Sequence, residues 1–546
     1  MIADVGSTIE KIPRRHESAF EVTLLARPPQ RQNTDAEALI KEARALRRRR
    51  WLTRISIVVV LLTAIVVSLS VGLTQPKKSP ISPGSSPVRP LADVREFRGN
   101  GNLAFISRNT LWMLYGREGT LRKLPAVKGF SPTSPQLSFD GKWLAYLETR
   151  TTNYSSSSDL WIARGNGTDA HQVAKSVGAL VGWSSTSDNL AYTSTSFVRL
   201  ASSIAMPDKL YLRTPAGAER ELFGFPSAGF RSTEITGASW SPNGTALAVS
   251  TRSLGSQGET SVMSYPIAGG VPTTWFSISD AAVLPGVCTG CGGQDTIASV
   301  TGWWPRWGIG FWAFSSGATH NLDDTPLELV TRPGAIPHII GDTLSDGSTV
   351  SYASDSRGEL AIVASTGGRE YGSGKTVDVC DRSSLTCAPV PGASVWSGKP
   401  LPCAGLECSG VPKAGLPGSG VSIDPSWSPN GSLLAYEKAP TLPYDGVSNA
   451  TWYNAHELYL WNSATNTSKR VAKLSGVTVP IWSKNGEDLL YVDNDALWLW
   501  RVNGGQPTRV ASPLFSPKQW IAKNSGFQFS YYEQVNFSGQ FSWWSH

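Results

Sequence analysis

Charge is scarce in this sequence: Asp, Glu, Lys and Arg make up only 17% of its 546 residues. Histidine and cysteine are scarcer, with six of each, and no cysteine occurs before Cys288. The histidines (His16, His171, His320, His338, His456 and His546) are scattered, and none shows the His-x-x-x-His or His-Glu-x-x-His spacing that sets two imidazoles on one metal. No Gly-x-Ser-x-Gly elbow occurs, nor any separate α/β region to carry a hydrolase triad. The stretch 368–376 (GREYGSGKT) resembles a phosphate loop at a glance, but it is one residue too long. A strand pattern (TVDVCD) follows it instead of a helix, so it reads as a hairpin turn. These absences leave no catalytic set, no metal ligands and no cofactor to expect. What is abundant is Gly (53), Pro (36) and Trp (21), a composition that suits short strands joined by tight turns.

The net charge of +7 is unevenly placed. Residues 1–54 hold twelve Lys/Arg against seven Asp/Glu, so most of the excess sits beside an apolar run. That placement marks a membrane orientation signal rather than a nucleic-acid surface. The run is Ile55 to Thr74, twenty residues without charge or proline. As a helix it spans roughly 30 Å, the thickness of the hydrocarbon core. Lys41, Arg44, Arg47, Arg48, Arg49, Arg50 and Arg54 precede it, whereas Lys77 and Lys78 follow. The positive-inside rule then puts the N-terminus in the cytoplasm and the rest outside. A cleaved signal peptide competes, since Ser68–Ser70 gives a small-x-small site, but the basic leader and apolar run are both longer than usual. The expected organisation is a basic, largely disordered cytoplasmic tail (1–54), a single transmembrane helix (55–74), a Pro/Ser-rich linker (75–99) and an extracytoplasmic domain (100–546).

Self-similarity dominates that last part. LSFDGKWLAYLETR (137–150), ASWSPNGTALAVSTR (238–252), PSWSPNGSLLAYEKA (425–439) and PIWSKNGEDLLYVDN (480–494) share one pattern, with a looser copy at 182–195. Asp140-Gly141, Asn243-Gly244, Asn430-Gly431 and Asn485-Gly486 supply residues that tolerate φ > 0, as a hairpin requires. Further strand patterns follow each copy, such as DLWIAR, KLYLRT, ELYLWN and ALWLWR, then a short fourth. Four strands in about forty-five residues is the length of a propeller blade.

These residues resemble the WD-like repeats of TolB-type β-propellers. Trp240, Asn243 and Gly244 match the Trp-Ser-Pro-Asp/Asn-Gly signature, as do Trp427, Asn430 and Gly431; Trp482, Asn485 and Gly486 depart only at the proline. The resemblance implies an all-β fold, a β-propeller of four-stranded blades behind the single helix. Eight blades is the favoured count, with six or seven left open by the degraded pattern in an irregular insertion at about 277–422. NLAFIS–TLWMLY–LRKL (102–124) reads as a blade missing its first strand, which the apolar tail 527–544 is suited to supply.

All six cysteines fall in that insertion as local pairs, Cys288/Cys291, Cys380/Cys387 and Cys403/Cys408, and outside the membrane they read as disulfides. Cys380 and Cys387 fit a clipped hairpin. Trp303, Trp304 and Trp307 cluster as candidate aromatic contacts for a sugar or peptide, against the plainer reading that they pack between blades. The functional expectation is a membrane-anchored module that binds or scaffolds an extracytoplasmic protein, peptide or glycan. The competing expectation is an exported hydrolase or lyase with its site in propeller loops.

Overall fold

The computed structural model describes residues 90–151, 156–198, 204–224, 233–253, 259–279, 284, 296–315, 325–343, 350–353, 358–365, 374–397, 420–441, 455–471, 477–493, 495–514 and 538–545. The tail and the apolar run 55–74 lie outside them, as do Cys288, Cys291, Cys403 and Cys408. No helix among the described residues is long and apolar enough to cross a membrane. The chain divides into two units, Met1–Ser86 and Pro87–His546, and the second carries the fold.

Its strands form six antiparallel sheets among the described residues, met in sequence order. A closing sheet joins Asn102–Ser107, Thr110–Tyr115 and Thr120–Lys123 to Phe541–Trp544. A seven-stranded sheet runs from Ser131–Leu137 to Glu219–Gly224. In it the long strand His171–Trp183 serves twice: His171 to Ala174 pair backward with Leu160 to Ile162, and Val177 to Trp183 pair forward with Leu190 to Ser194. Four strands within 233–279 form the next sheet, and 296–389, where the repeat pattern degrades, folds as one eight-stranded sheet. The sheets of 420–470 and 477–512 complete the series.

Alternation along each strand glues one sheet to the next, because successive side chains point to opposite faces. Leu144 and Tyr146 pack back against Ala104, Ile106 and Met113, whereas Ala145 and Leu147 pack forward with Val177, Leu190 and Tyr192. Leu247 and Val249 likewise pack back on Leu210, while Ala248 packs forward on Val300 and Phe311. The last sheet meets the first: Leu490, Val492 and Val510 share a buried cluster with Leu103, Phe105 and Phe541. Sheets stacked in sequence order, buried on both faces and closed end to end, make a β-propeller.

The strand that opens a repeat is broken by a bulge. Ser134, Asp424 and Val479 adopt φ of 51°, 49° and 53°, each followed by proline, and the ladder register shifts there. Proline has no N–H to donate, so it falls where the ladder is interrupted. At Val479 the freed N–H donates to Oε1 of the fully buried Glu437, 2.6 Å away, whose Oε2 lies 2.9 Å from His456 Nδ1.

Two segments at the ends of the folded unit join these sheets. Leu91–Ala92 adds an edge strand to Ala511 and Ser512, and Phe97 is completely buried. The missing first strand of the closing sheet is supplied by Phe541–Trp544, paired with Asn102 to Phe105, as the apolar tail suggests.

Candidate functional site

The repeat turn is a relay of side-chain hydrogen bonds. In each of four copies the serine hydroxyl (Ser138, Ser241, Ser428, Ser483) donates to Oδ1 of Asp140, Asn243, Asn430 or Asn485 at 2.6–2.8 Å. The same Oδ1 accepts the backbone N–H two residues on, at 3.0–3.2 Å. The serine oxygen accepts the N–H of Trp143, Ala246, Leu433 or Asp488. Only the glycine takes positive φ (Gly141, Gly244, Gly431 and Gly486, 63–72°). The Asp or Asn acts as an acceptor and not as a left-handed residue.

The repeat tryptophan staples neighbours together. Trp183, Trp240 and Trp482 donate their indole N–H to the carbonyls of Gln136, Gly182 and Ser426, in each case on the opening strand of the preceding repeat. The turns also touch: Ser185 and Thr186 hydroxyls donate to Pro242 and Asn243 carbonyls, and Gly486 lies against Pro429.

At the closing sheet this chain of turns is interrupted. Phe541–Trp544 reaches Asn102–Ser107 from the far end of the sequence, so no hairpin turn joins the two strands. Neighbours bridge the gap instead. The Lys484 backbone N–H donates to Ser545 Oγ, its ammonium donates to the Phe139 carbonyl at 2.6 Å, and Trp544 Nε1 donates to that same carbonyl at 2.9 Å. The Trp544 ring lies on Gly141, where a Cβ would have no room, and Gly101 is pressed on the Trp544 backbone.

Beside this seam opens a half-open polar cleft of about 460 Å³. One wall is the turn carrying Tyr115 and Arg117, and another is the 140–142 turn, fixed by Asn102 Nδ2 donating to the Gly141 carbonyl at 2.9 Å. The third is the loop after Arg164, folded by Thr168 N and Oγ1 donating to Asn166 Oδ1 at 3.0 and 2.7 Å. Lys142 pairs with Asp140 at 2.6 Å and Arg164 with Asp169 at 3.5 Å. The Arg164 guanidinium also lies 4.1 Å above the Trp143 ring. Burial alone would raise the Asp140 carboxyl, but hydrogen bonds from Lys142 and Ser138 hold it below its usual range. Asp188, on the neighbouring turn, is pushed up by burial and then by the Asp140 charge.

No family model and no curated protein matches the chain. Solved structures similar to it include a prolyl endopeptidase (13% identity, 76% of this chain, 54% of that one, TM-score 0.38) and an oligogalacturonate lyase in complex with manganese (12%, 78% and 100%, 0.39). A third is dipeptidyl peptidase 4 of Porphyromonas gingivalis (10%, 78% and 61%, 0.46). The chain thus spans about half of the prolyl endopeptidase it matches. At these TM-scores the likenesses carry no argument about chemistry, and the fold rests on the order and closure of the sheets.

The residues singled out from sequence fall elsewhere. Trp307 is fully buried with its indole N–H bound to the Gly358 carbonyl at 2.7 Å, which leaves no face for a ligand. Trp303 meets Trp275 edge-on at 5.2 Å, and Trp304 covers Gly302 and Gly310. All three pack. Cys380 and Cys387 face each other across a hairpin and form a disulfide. Most of the stretch 368–376 lies outside the described residues; its last two, Lys375 and Thr376, open a strand that pairs with Ser365 and Ala364. Among the described residues no cluster of three His, Cys, Asp or Glu could hold a metal. The cleft residues Tyr115, Arg117, Arg164 and Asp169 carried no motif that singled them out, and Asn166 and Thr168 carried only an Asn-x-Thr sequon that coincides with a turn. The one signal was the apolar tail ending in Trp543 and Trp544.

Proposed function

We propose that this chain is a membrane-tethered, extracytoplasmic propeller of TolB-like repeats that works as a binding or scaffolding module, with its ligand held in the seam cleft. Each of the two wide sheets counts as two blades in this reading, which makes eight. The basic leader and apolar run motivate the tether. The observation that carries the binding role is the cleft itself: its volume falls within the range of ligand pockets. Its walls come from three separated stretches of chain, fixed by the buried Asn102–Gly141 hydrogen bond and by the two bonds that Thr168 donates to Asn166 Oδ1. The test is capture from an envelope extract by the full-length chain. The expected result is a retained protein, peptide or glycan that is lost with Trp544→Ala and kept with Val271→Ala, a change at a distant exposed position. Capture that ignores Trp544→Ala contradicts the role of the cleft.

A second reading, an exported hydrolase or lyase, draws on one observation. Asp140 and Asp188 are neighbouring carboxylates whose proton affinities are driven apart, as in acid/base pairs. Against it, Asp140 is already engaged by Ser138 and Lys142. Turnover abolished by Asp188→Asn would favour this reading over the first.

A further inference from the structure

Arg117, Lys142 and Arg164 converge on the seam cleft against Asp140 and Asp169, a local excess of positive charge. Their commitments differ. Lys142 is bound to Asp140 at 2.6 Å. Arg164 is held over the Trp143 ring, and Asp169 approaches its Nε at 3.5 Å. A stacked guanidinium has already lost much of its freedom, and its terminal nitrogens remain a fork suited to a two-oxygen anion. Arg117 is exposed and forms no ion pair among the described residues. Two cations on facing walls are therefore open to an incoming anion.

The rest of the lining is short and polar. Asn166 spends Oδ1 on Thr168, which leaves its amide N–H groups to donate outward. The main aromatic surface is Trp544. A peptide held by buried side chains needs enclosed apolar pockets, and this cleft is half-open. Paired donors and acceptors beside the Trp544 and Tyr115 rings match a ring of hydroxyls instead.

Building on the proposed binding role, we infer that the seam cleft takes an anionic sugar, one bearing a carboxylate or a phosphate. Arg117 and Arg164 receive the anion, and Asn166, Thr168 and Asp169 face the hydroxyls. Trp544 completes the site only while the closing strand is seated, so binding and closure reinforce each other.

The test is a calorimetric titration of the detergent-solubilised full-length chain with three tetrasaccharides: one containing glucuronate, one carrying a sugar 6-phosphate, and their neutral glucose counterpart. An acidic probe is expected to bind at least about tenfold more tightly than the neutral one, and Arg117→Gln to remove about tenfold of that affinity. Which acid wins distinguishes carboxylate from phosphate. Arg117 is exposed, so its variant tests charge without disturbing packing; Arg164→Gln should act in the same direction. Equal binding of all three, insensitive to Arg117→Gln but lost with Trp544→Ala, overturns the anionic class and leaves the cleft as a binding site. Binding of none overturns the inference, while capture of an envelope ligand dependent on Trp544 would still support the broader role.

Discussion

The indole nitrogen of a repeat tryptophan is a hydrogen-bond donor with a fixed address, and one copy breaks the rule. Trp240 donates to Gly182 at 2.9 Å, whereas Trp427, only 5% exposed, has no acceptor for its Nε1 among the described residues. Trp240→Phe should cost about 1 kcal/mol, and Trp427→Phe should be neutral or slightly stabilising because it removes an unsatisfied donor. Urea unfolding of the two variants checks the contrast; equal losses would contradict it. Glu148 and Glu328 pose a sharper problem. Each is 1% exposed with one carboxylate oxygen unpartnered, and burial raises both carboxyls from 4.5 to about 7. Between those values the folded protein holds protons that the unfolded chain has released. Stability is therefore full below about pH 4.5 and declines as pH rises toward 7, by an amount on the order of 3 kcal/mol per residue. Glu148→Gln should flatten part of that decline in melting temperature against pH; a profile rising from pH 5 to 7 in the wild type would refute the account.

The turn is the element most legible in the sequence. Its Asp/Asn-Gly pair marks the reversal correctly, and the residues after it form the expected strands. The reason for the Asn is different from φ tolerance: it accepts hydrogen bonds from a serine two residues earlier and from the backbone two residues later. Asp does the same at position 140. Asn430→Asp should thus be nearly neutral, while Asn430→Ala should lose about 1–2 kcal/mol, measured by denaturant midpoint at constant slope. If the alanine variant matched the aspartate one, the relay would carry no stability. Less legible was the stretch 296–389, whose strands lack the Trp-Ser turn. There strand alternation survives, as in Leu360–Ser365, but the motif that counts repeats does not. The tryptophans of 303–307 drew attention through density alone, and density in sequence says nothing of the glycines and carbonyls they cover.

The cleft belongs to the whole molecule, which is why no segment announced it. Its lining comes from positions near 102, 116, 141 and 166 in two successive sheets and from 544, which joins them only when the propeller closes. Closure rests on the four residues Phe541–Trp544, of which Phe541, 3% exposed, sits in the cluster that unites the first and last sheets. Phe541→Asp places a charge among apolar side chains and should cost several kcal/mol, with hydrogen exchange at Asn102–Phe105 rising to that of an unpaired edge. Protection unchanged in that variant would mean the ring closes by other means. The central claim, that ligand is held at this seam, is tested most directly by placing a photocrosslinking side chain at Thr168, or at Val271 as a control, in the full-length chain on intact cells. Reproducible capture of one envelope component from position 168, absent from 271 and abolished by Trp544→Ala, is the predicted result. Equal capture from both positions, or none from 168, would contradict it.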